Sequence, residues 1–317
     1  MQTSQETLWQ LGEHVRQAVI PHLGTWRARR ITGTAASGDA TFDIDDIAEA
    51  AVEEFLKKYE INVAYYSEDR GLVHLFEDST PEGILIIDPI DGTRAAVAGL
   101  ESCVVSVAWT EYTPNPTLGD VRFGNIIEIK SGQTFSAERG NGVRITDANG
   151  NAVKPEPLAT TDLIRMACAV EVVGAPLDLI FAAVGDVVSG ATLRGGFFVL
   201  NSSAFTLTRL VNGQLSGHID VRNRLLKEFP HTRERYVEYG GGHPVSLYGY
   251  DIAAAALIAQ EAGCVVTDAW GKSLDGWTLL DTTEANFGSL LAASNATLHA
   301  ELVFAVDAGF AALREKL

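Results

Sequence analysis

Two aspartates at the end of a predicted strand are the side chains in this sequence best placed to do chemistry. In GILIIDPIDGT the four apolar residues 84–87 lead directly into Asp88 and, after a proline, Asp91. A carboxylate there lies close to the low-dielectric interior, where an unpaired charge costs several kcal/mol. Arg70 is the only Lys or Arg between Glu68 and Asp91, so a divalent cation is the expected partner, with a distant side chain as the alternative. Oxygen ligands without cysteine suit Mg²⁺ or Mn²⁺.

The turn after this strand adds a candidate anion site. Proline fixes φ, which favours a rigid turn that holds Asp88 and Asp91 on one side. If residues 93–98 begin a helix, the backbone N–H groups of Gly92 and Thr93 can bind an anion beside the carboxylates. Taken alone, the motif is equally consistent with Asp88 capping a turn and Asp91 capping a helix.

Helices and strands must together position these residues in the first half of the chain. Apolar residues at helical spacing predict one helix around residues 8–19, ended by Pro21 and Gly24, and a second over residues 44–56, with the acids Asp45 and Glu49 off its apolar stripe. The runs INVAYY, ILII, CVVSVAW, GNIIEIK and QTFSAE predict strands, the last two joined in a hairpin at residues 131–132. This half is therefore predicted to be an α+β unit.

The second half alternates helices and strands, which predicts α/β layers. The segment 154–162 is the expected boundary between an α+β domain, residues 1–155, and an α/β domain, residues 156–317. The elements expected after the boundary are a strand near 163–170, a helix near 177–188, a strand at 192, a helix over 203–211, a strand over 215–219, an irregular polar segment over 223–243, an alanine-rich helix from 251, two strands and a terminal helix.

Composition narrows the class of protein. The 317 residues carry a formal net charge of -17, which argues against nucleic acid or an anionic membrane as the main partner. Cys103, Cys168 and Cys264 lie far apart without metal-type spacing, which favours buried thiols in a reducing compartment. The first residues lack the pattern of a signal peptide and no run reaches the roughly 20 apolar residues of a membrane span, so a cytoplasmic protein is expected.

Two further acidic motifs accompany IDPIDGT: SED upstream and YDIAAAALIAQEAG downstream. In this order, from about Gly33 to Asn295, the chain resembles the inositol monophosphatase family, the Mg²⁺-dependent, lithium-sensitive phosphatases that include archaeal-type fructose-1,6-bisphosphatases. The resemblance implies a layered αβαβα sandwich. It also implies a phosphomonoesterase that hydrolyses a small sugar or inositol phosphate with a metal-activated water, without a covalent phosphoenzyme.

The resemblance implies a ligand set for the metal ions. Glu68, Asp88 and the carbonyl of Ile90 would hold a first Mg²⁺, and Asp88, Asp91 and Asp251 a second. A third, weaker ion would lie near Glu68. For Asp251 taken alone, an N-cap of the alanine-rich helix is the competing interpretation.

The same resemblance implies the catalytic and phosphate-binding residues. Asp45 and Thr93 would orient and help to deprotonate the attacking water, with Glu68 as the third catalytic side chain. Asp91, Gly92 and Thr93 would contact the phosphate. Together they predict an in-line displacement on a phosphate monoester.

Substrate contacts are expected from residues 201–220. The resemblance places Ser202 and Ser203 near the substrate's hydroxyl groups, although a helix N-cap explains them equally well. Asp220 falls on the acidic position that binds the sugar or inositol. Arg222 and Arg224 could bind a second phosphate bidentately, or be solvated loop charges.

Several residues depart from the common family pattern. Ala96 replaces an aromatic residue, Arg94 directly follows the threonine of DGT, and Tyr250 replaces a tryptophan. The family lysine is missing from TGTAASGD, which shifts the expected substrate towards fructose 1,6-bisphosphate or dual specificity. Phosphatases of 3′-phosphoadenosine phosphates or histidinol phosphate, or a non-catalytic phosphometabolite sensor, are the alternatives. The family also suggests a homo-oligomer, such as a dimer, and the long segment 223–244 is expected to be a solvated loop or a subunit contact rather than a substrate lid.

Overall fold

Two β-sheets with helices on both faces organise the chain. The structure, a computed structural model, describes residues 4–35, 40–76 and 79–316. Its helices are α1 (Gln5–Val19), α2 (Asp43–Lys58), α3 (Thr93–Ala98), α4 (Leu177–Ala191), α5 (Ser203–Val211), α6 (Arg222–Glu228), α7 (Arg233–Tyr239), α8 (Ala253–Glu261) and α9 (Ala296–Arg314). Its strands are β1 (Ile31–Thr34), β2 (Ala40–Phe42), β3 (Ala64–Ser67), β4 (Gly71–His74), β5 (Gly83–Asp91), β6 (Val104–Glu111), β7 (Phe123–Glu128), β8 (Thr134–Glu138), β9 (Val143–Thr146), β10 (Ala152–Val153), β11 (Ala167–Val170), β12 (Gly196–Phe198), β13 (Gly217–Asp220), β14 (Val265–Thr267) and β15 (Leu290–Ala293).

The strands form a large and a smaller sheet. Within the described residues the first sheet has eight strands in the order β10-β9-β8-β7-β6-β5-β3-β4, and the second has five in the order β12-β11-β13-β15-β14. In the first sheet only the pair β3–β5 is parallel. In the second sheet β12, β11 and β13 are parallel, whereas β15 runs antiparallel to β13 and β14. A separate hairpin of β1 and β2 precedes α2.

The helices complete five layers in the order αβαβα. Along β5, Leu85 and Ile87 face the core under α1 and α2, while Ile84 and Ile86 face the core that contains α5 and α8. Side chains along the strands of the second sheet also alternate between two cores. The cores on its two faces hold α5 and α8 on one side and α4 and α9 on the other. This architecture confirms the predicted fold class, because central strands such as β5, β6 and β13 bury side chains on both of their faces.

Several predicted elements are confirmed. The helix expected over residues 203–211 is α5, the hairpin at 131–132 joins β7 to β8 with Gly132 at φ 74°, and all three cysteines are buried. The division into domains 1–155 and 156–317 stays a prediction. It is notable that α5 and α8, from the second part, cover one face of the first part's sheet.

Three predictions on the second half are wrong. The segment expected to be irregular over 223–243 contains α6 and α7, because Leu225, Phe229 and Tyr236 bury an apolar face against α4 and α9. The strand expected at Thr192 begins at Gly196, since Thr192 is the C-cap of α4. The strand expected from residue 163 begins at Ala167, after a 3₁₀ turn.

The C-terminal helix, α9, does not match the expectation that no segment is long and apolar enough to span a membrane. By length and mean hydropathy α9 could cross a bilayer. Its buried stripe explains the composition differently: Leu298, Leu302, Val306 and Phe310 pack into the core beneath the second sheet. Core helices of globular proteins show the same apolar stripe.

Candidate active site

A bulge in β5 brings the two aspartates of the opening motif to the same face of the sheet. Side chains alternate along a strand, so residues three apart normally point to opposite faces. Here Asp88 pairs with Ser106 and Asp91 pairs with Val104, which means that three steps on β5 match two steps on β6. The extra residue, at Pro89 or its neighbour, turns Asp91 back to the side of Asp88. The expectation that the turn holds both carboxylates on one side is confirmed.

The carboxylate of Asp91 is fixed by the start of α5. Its Oδ2 accepts hydrogen bonds from the hydroxyl of Ser202 at 2.6 Å and from the backbone N–H of Ala204 at 2.7 Å. Asp91 therefore does help to cap a helix, but the helix is more than a hundred residues away in the chain. Ser202 is also the N-cap of α5, since its Oγ accepts the N–H of Phe205 at 3.2 Å.

Asp88 is held by the turn that follows it. Its Oδ1 accepts the backbone N–H of Ile90 at 3.1 Å, so the turn-cap interpretation of Asp88 is correct. The carbonyl of Ile90 in turn accepts the hydroxyl of Thr93 at 3.0 Å. Because a cap uses one carboxylate oxygen, the second oxygen of Asp88 remains for another ligand.

Gly92 allows this turn to close. Its backbone is left-handed, with φ at 91°, and a Cβ at this position would lie 2.3 Å from the carbonyl oxygen of Ser102. Only glycine tolerates both conditions. The helix expected after Thr93 is α3, so the N–H groups of Gly92 and Thr93 lie at its first turn as predicted.

The predicted site residues line two adjoining hollows. The narrow hollow, with a volume of about 30 Å³, has room for an ion or a few waters, whereas the wide hollow measures about 100 Å³. Both are lined by Glu68, Asp88, Ile90, Thr93 and Arg94. The narrow hollow adds Asp45, and the wide hollow adds Asp91, Gly92, Asp251, Ser202, Ser203 and Arg222. All predicted site residues except Asp220 and Arg224 therefore meet in one cleft.

The charge balance of the cleft calls for a cation. Burial, followed by the carboxylates of Asp91 and Glu68, holds the pKa of Asp88 well above its usual range. Burial also raises the pKa of Asp91 and Asp251. Burial is the main cause of all three shifts, and neighbouring carboxylates add to the shifts of Asp88 and Asp251. A divalent cation would offset these shifts.

The donor chemistry of the cleft fits Mg²⁺. Carboxylate and carbonyl oxygens are its preferred protein ligands, and the acids of the two hollows supply them. As the side chains stand, no three Asp, Glu, His or Cys side chains in the described parts of the chain are arranged to hold a metal ion. Binding an ion would therefore require the carboxylates to turn towards a common point.

Asp251 is not the N-cap that the sequence also allowed. It lies in a 3₁₀ turn, Tyr250–Ile252, and α8 follows with Ile252 at its N-cap. The Oδ2 of Asp251 accepts the backbone N–H of Tyr248 at 2.8 Å. The rings of Tyr248 and Tyr250 stack at 5.3 Å and form an aromatic wall beside this carboxylate.

Asp45 and Glu49 point inward from α2. The Oδ2 of Asp45 accepts the backbone N–H of Phe42 at 2.8 Å, which fixes the carboxylate at the start of the helix and beside the narrow hollow. Glu49, one turn further, is only 2% exposed, and burial raises its pKa to about 7. The prediction that both acids lie off the buried stripe is wrong. Their spacing of four residues was the signal that they share a face.

Arg222 and Arg224, in the segment DVRNR, match neither of the two expected roles. They are not solvated loop charges, and they do not form a free pair for a second phosphate. Arg222 donates Nε and Nη2 to the two oxygens of Asp220, at 3.0 and 2.7 Å, and Nη1 to the carbonyl of Val173. Asp220 is fully buried and lies behind the wall of the cleft, so its carboxylate positions Arg222. Arg224 points away, onto the ring of Phe310.

The fold is an αβαβα sandwich with a cleft of acidic side chains beside a bulged strand. The sequence profile described as the inositol monophosphatase family matches residues 2–307, so the chain belongs to that family. Phosphatases of this family are in general metal-dependent, and the chain is accordingly an enzyme of the phosphatase class.

Curated relatives agree with this assignment. A fructose-1,6-bisphosphatase/inositol-1-monophosphatase of Methanothermobacter thermautotrophicus is 29% identical over 297 residues, 92% of each chain. An inositol-1-monophosphatase of Aeropyrum pernix is 27% identical over 76% of this chain and 77% of the relative. A bifunctional NADP phosphatase/NAD kinase of Methanocaldococcus jannaschii is 25% identical, but this chain covers only 48% of it.

Solved structures show the same fold. The inositol monophosphatase of Thermotoga maritima aligns with a TM-score of 0.66 and 21% identity, over 95% of this chain and 96% of the other. The extragenic suppressor protein SuhB of Bartonella henselae aligns with a TM-score of 0.68 and 19% identity, over 95% and 97%.

Proposed function

We propose that the chain is a Mg²⁺-dependent phosphomonoesterase that hydrolyses a small sugar or inositol phosphate with a metal-activated water. The observation that carries this proposal is the bulge in β5. It places Asp88 and Asp91 on one face, in a cleft that also contains Glu68, Asp251 and Asp45. Two to three Mg²⁺ ions are the proposed cofactors, with Mn²⁺ as an alternative.

Five groups that line the cleft are proposed to bind the metal ions. Glu68, Asp88, Asp91, Asp251 and the carbonyl of Ile90 are the proposed ligands. When bound, Mg²⁺ supplies positive charge at the phosphate and lowers the pKa of a coordinated water. The capping bonds already described leave each of the three aspartates with one oxygen on a backbone N–H or hydroxyl, which orients the other oxygen.

The chain's own groups orient the phosphate and accept the proton. The N–H groups of Gly92 and Thr93 would donate to phosphate oxygens at the start of α3. Because Thr93 Oγ1 donates its proton to the carbonyl of Ile90, the oxygen is left as an acceptor for a water proton. Asp45, fixed by Phe42, is the proposed final acceptor of that proton.

The substrate proposal is supported by the names of relatives, which include inositol-1-monophosphatase and fructose-1,6-bisphosphatase. A released-phosphate assay with Mg²⁺ on inositol 1-phosphate, fructose 1,6-bisphosphate, 3′-phosphoadenosine phosphate, histidinol phosphate and NADP tests it. Rapid release from one of the first two, lost with a chelator and inhibited by millimolar lithium, is expected. No release from any phosphate monoester would contradict the proposed function, and release from another substrate alone would reassign it.

A cytoplasmic homo-oligomer, such as a dimer, is part of the same proposal. The edge strand β12 of the second sheet supports self-association, since Phe198 is 44% exposed there and nearby Leu193 is 91% exposed. Light scattering of the purified chain checks it, and a monomer at micromolar concentration would contradict it.

A further inference from the structure

The wall of the wide hollow contains two acceptors that no predicted role uses. Glu171 follows β11 directly and is only 3% exposed, yet its Oε1 has no hydrogen-bond partner. The Oδ1 of Asn201 is also buried without a partner. Both residues line the wide hollow. An unpaired buried acceptor is costly, so two beside one hollow point to a ligand that donates hydrogen bonds.

Asn201 is held beside the proposed metal site. Its φ is 53°, in the left-handed region that asparagine enters more readily than most residues other than glycine. The next residue, Ser202, donates its hydroxyl to the proposed metal ligand Asp91. Asn201 lines the same hollow as Gly92 and Thr93, the proposed phosphate-binding residues, so a ligand in that hollow adjoins both.

The groups beside the two acceptors favour a hydroxyl group over a second phosphate. Arg222 also lines the wide hollow, and its Nε, Nη1 and Nη2 each donate one hydrogen bond, to Asp220 or to the carbonyl of Val173. Asp220 therefore neutralises Arg222, and burial raises the pKa of Glu171 to about 7. A hydroxyl group has a proton to donate to Glu171 Oε1 and Asn201 Oδ1, whereas a fully ionised phosphate has none.

We propose that Glu171 Oε1 and Asn201 Oδ1 accept hydrogen bonds from hydroxyl groups of the substrate, and so select polyhydroxylated monophosphates over substrates with a second phosphate at this end. The inference rests on the proposed function and names the substrate class of the same cleft. It shifts the expected preference from fructose 1,6-bisphosphate towards inositol 1-phosphate. Glu171 acts on specificity and takes no part in the chemical step.

The test compares two substrates that differ in hydroxyl groups. Inositol 1-phosphate offers donors to both acceptors, whereas p-nitrophenyl phosphate offers none. The quantity measured is the ratio of kcat/KM for these two substrates with Mg²⁺. In Glu171→Leu this ratio should fall by about 10- to 100-fold, the usual loss when a hydrogen bond to a charged group is removed. Glu171→Gln, which keeps an acceptor oxygen, should restore part of the ratio.

A second variant and a control protect the test against misfolding. Asn201→Gly removes Oδ1 while the backbone keeps its left-handed φ, and should lower the same ratio. Glu238→Gln, on the exposed face of α7, is the matched control and should leave the ratio unchanged.

The outcomes separate this inference from the proposed function. If the wild type hydrolyses both substrates and the variants lose both equally, Glu171 only supports the fold and the inference is overturned. A higher kcat/KM for fructose 1,6-bisphosphate than for inositol 1-phosphate in the wild type would also overturn it. If the wild type hydrolyses no phosphate monoester, the proposed function itself fails.

Discussion

At the scale of single residues, the contacts of Asp91 explain how a carboxylate can serve the fold and the site together. Its Oδ2 is used by Ser202 and Ala204 of α5, so the side chain links β5 to the second part of the chain. The sequence predicted that Asp88 and Asp91 lie on one side of a turn, because proline, glycine and aspartate at fixed spacing report local backbone geometry. It did not predict Glu171 or Asn201, because their burial depends on elements that are distant in the chain.

His218 is a residue whose titration should be visible in stability. It lies in β13, fully buried, with neither ring nitrogen hydrogen-bonded. Burial lowers its pKa from 6.5 to about 4. Below pH 6.5 the unfolded chain therefore binds a proton that the folded chain refuses, so stability falls with pH until the folded pKa is reached.

The variant His218→Leu isolates this contribution. Relative to pH 7.5, the wild type should lose about 2 kcal/mol more unfolding free energy at pH 5 than the variant loses. Urea denaturation at the two pH values measures the difference. Equal losses in both proteins would show that His218 is not held neutral by burial.

At the scale of elements, the bulge and the turn after β5 form the cleft. In a regular strand Asp88 and Asp91 would point to opposite faces of the sheet. The extra residue of the bulge brings both side chains to the same face. The turn then depends on Gly92, whose Cβ position is closed by a backbone oxygen that cannot move aside.

We expect Gly92→Ala to lower the unfolding free energy by about 2 kcal/mol or more, because it adds both strain and a clash with Ser102. Gly190→Ala is the matched control. Gly190 lies in α4 with no atom within 4 Å of its Cβ position and with ordinary φ, so the change should be neutral or stabilising by up to about 1 kcal/mol. Thermal denaturation compares the two, and an unchanged melting temperature for Gly92→Ala would contradict the geometry.

The elements that sequence reasoning missed share a cause. The segment with α6 and α7 is rich in charged residues, and its buried face consists of widely spaced Leu225, Phe229 and Tyr236. Its arginines are paired with acids, such as Arg235 with Asp178 in α4, so polar composition did not mean a loop. These apolar residues have helical spacing, but the many charged residues between them favoured the interpretation as a loop.

At the scale of the whole molecule, the alternation of helices and strands in the sequence predicted the layered fold, and the structure confirms it. Which distant parts of the chain meet in the cleft could be seen only in the structure. The five-layer order follows from strands that are apolar on both faces, such as residues 84–87. The meeting of Asp251 and Ser202 with β5 follows from the packing of α5 and α8 between the sheets. No local pattern contains that information.

The acidic cleft predicts that metal binding stabilises the whole fold. Mg²⁺ should raise the melting temperature of the wild type, since it binds the folded state and relieves carboxylate repulsion. In the presence of a chelator, Asp88→Asn should melt higher than the wild type, because one crowded buried carboxyl is removed. The variant should then lose most of the Mg²⁺-dependent rise.

Asp186→Asn, an exposed position on α4, is the control and should respond to Mg²⁺ as the wild type does. A wild type whose melting temperature ignores Mg²⁺ would contradict the metal-site assignment.

Phosphate release by Asp91→Asn tests the central claim most directly. Asparagine keeps an oxygen for Ser202 and Ala204, so the variant should fold and melt close to the wild type, while losing a charged ligand. With Mg²⁺ and inositol 1-phosphate, we expect kcat/KM to fall by at least about 100-fold, with Asp186→Asn unaffected. A folded Asp91→Asn protein with full activity would contradict the assignment of this cleft as the active site.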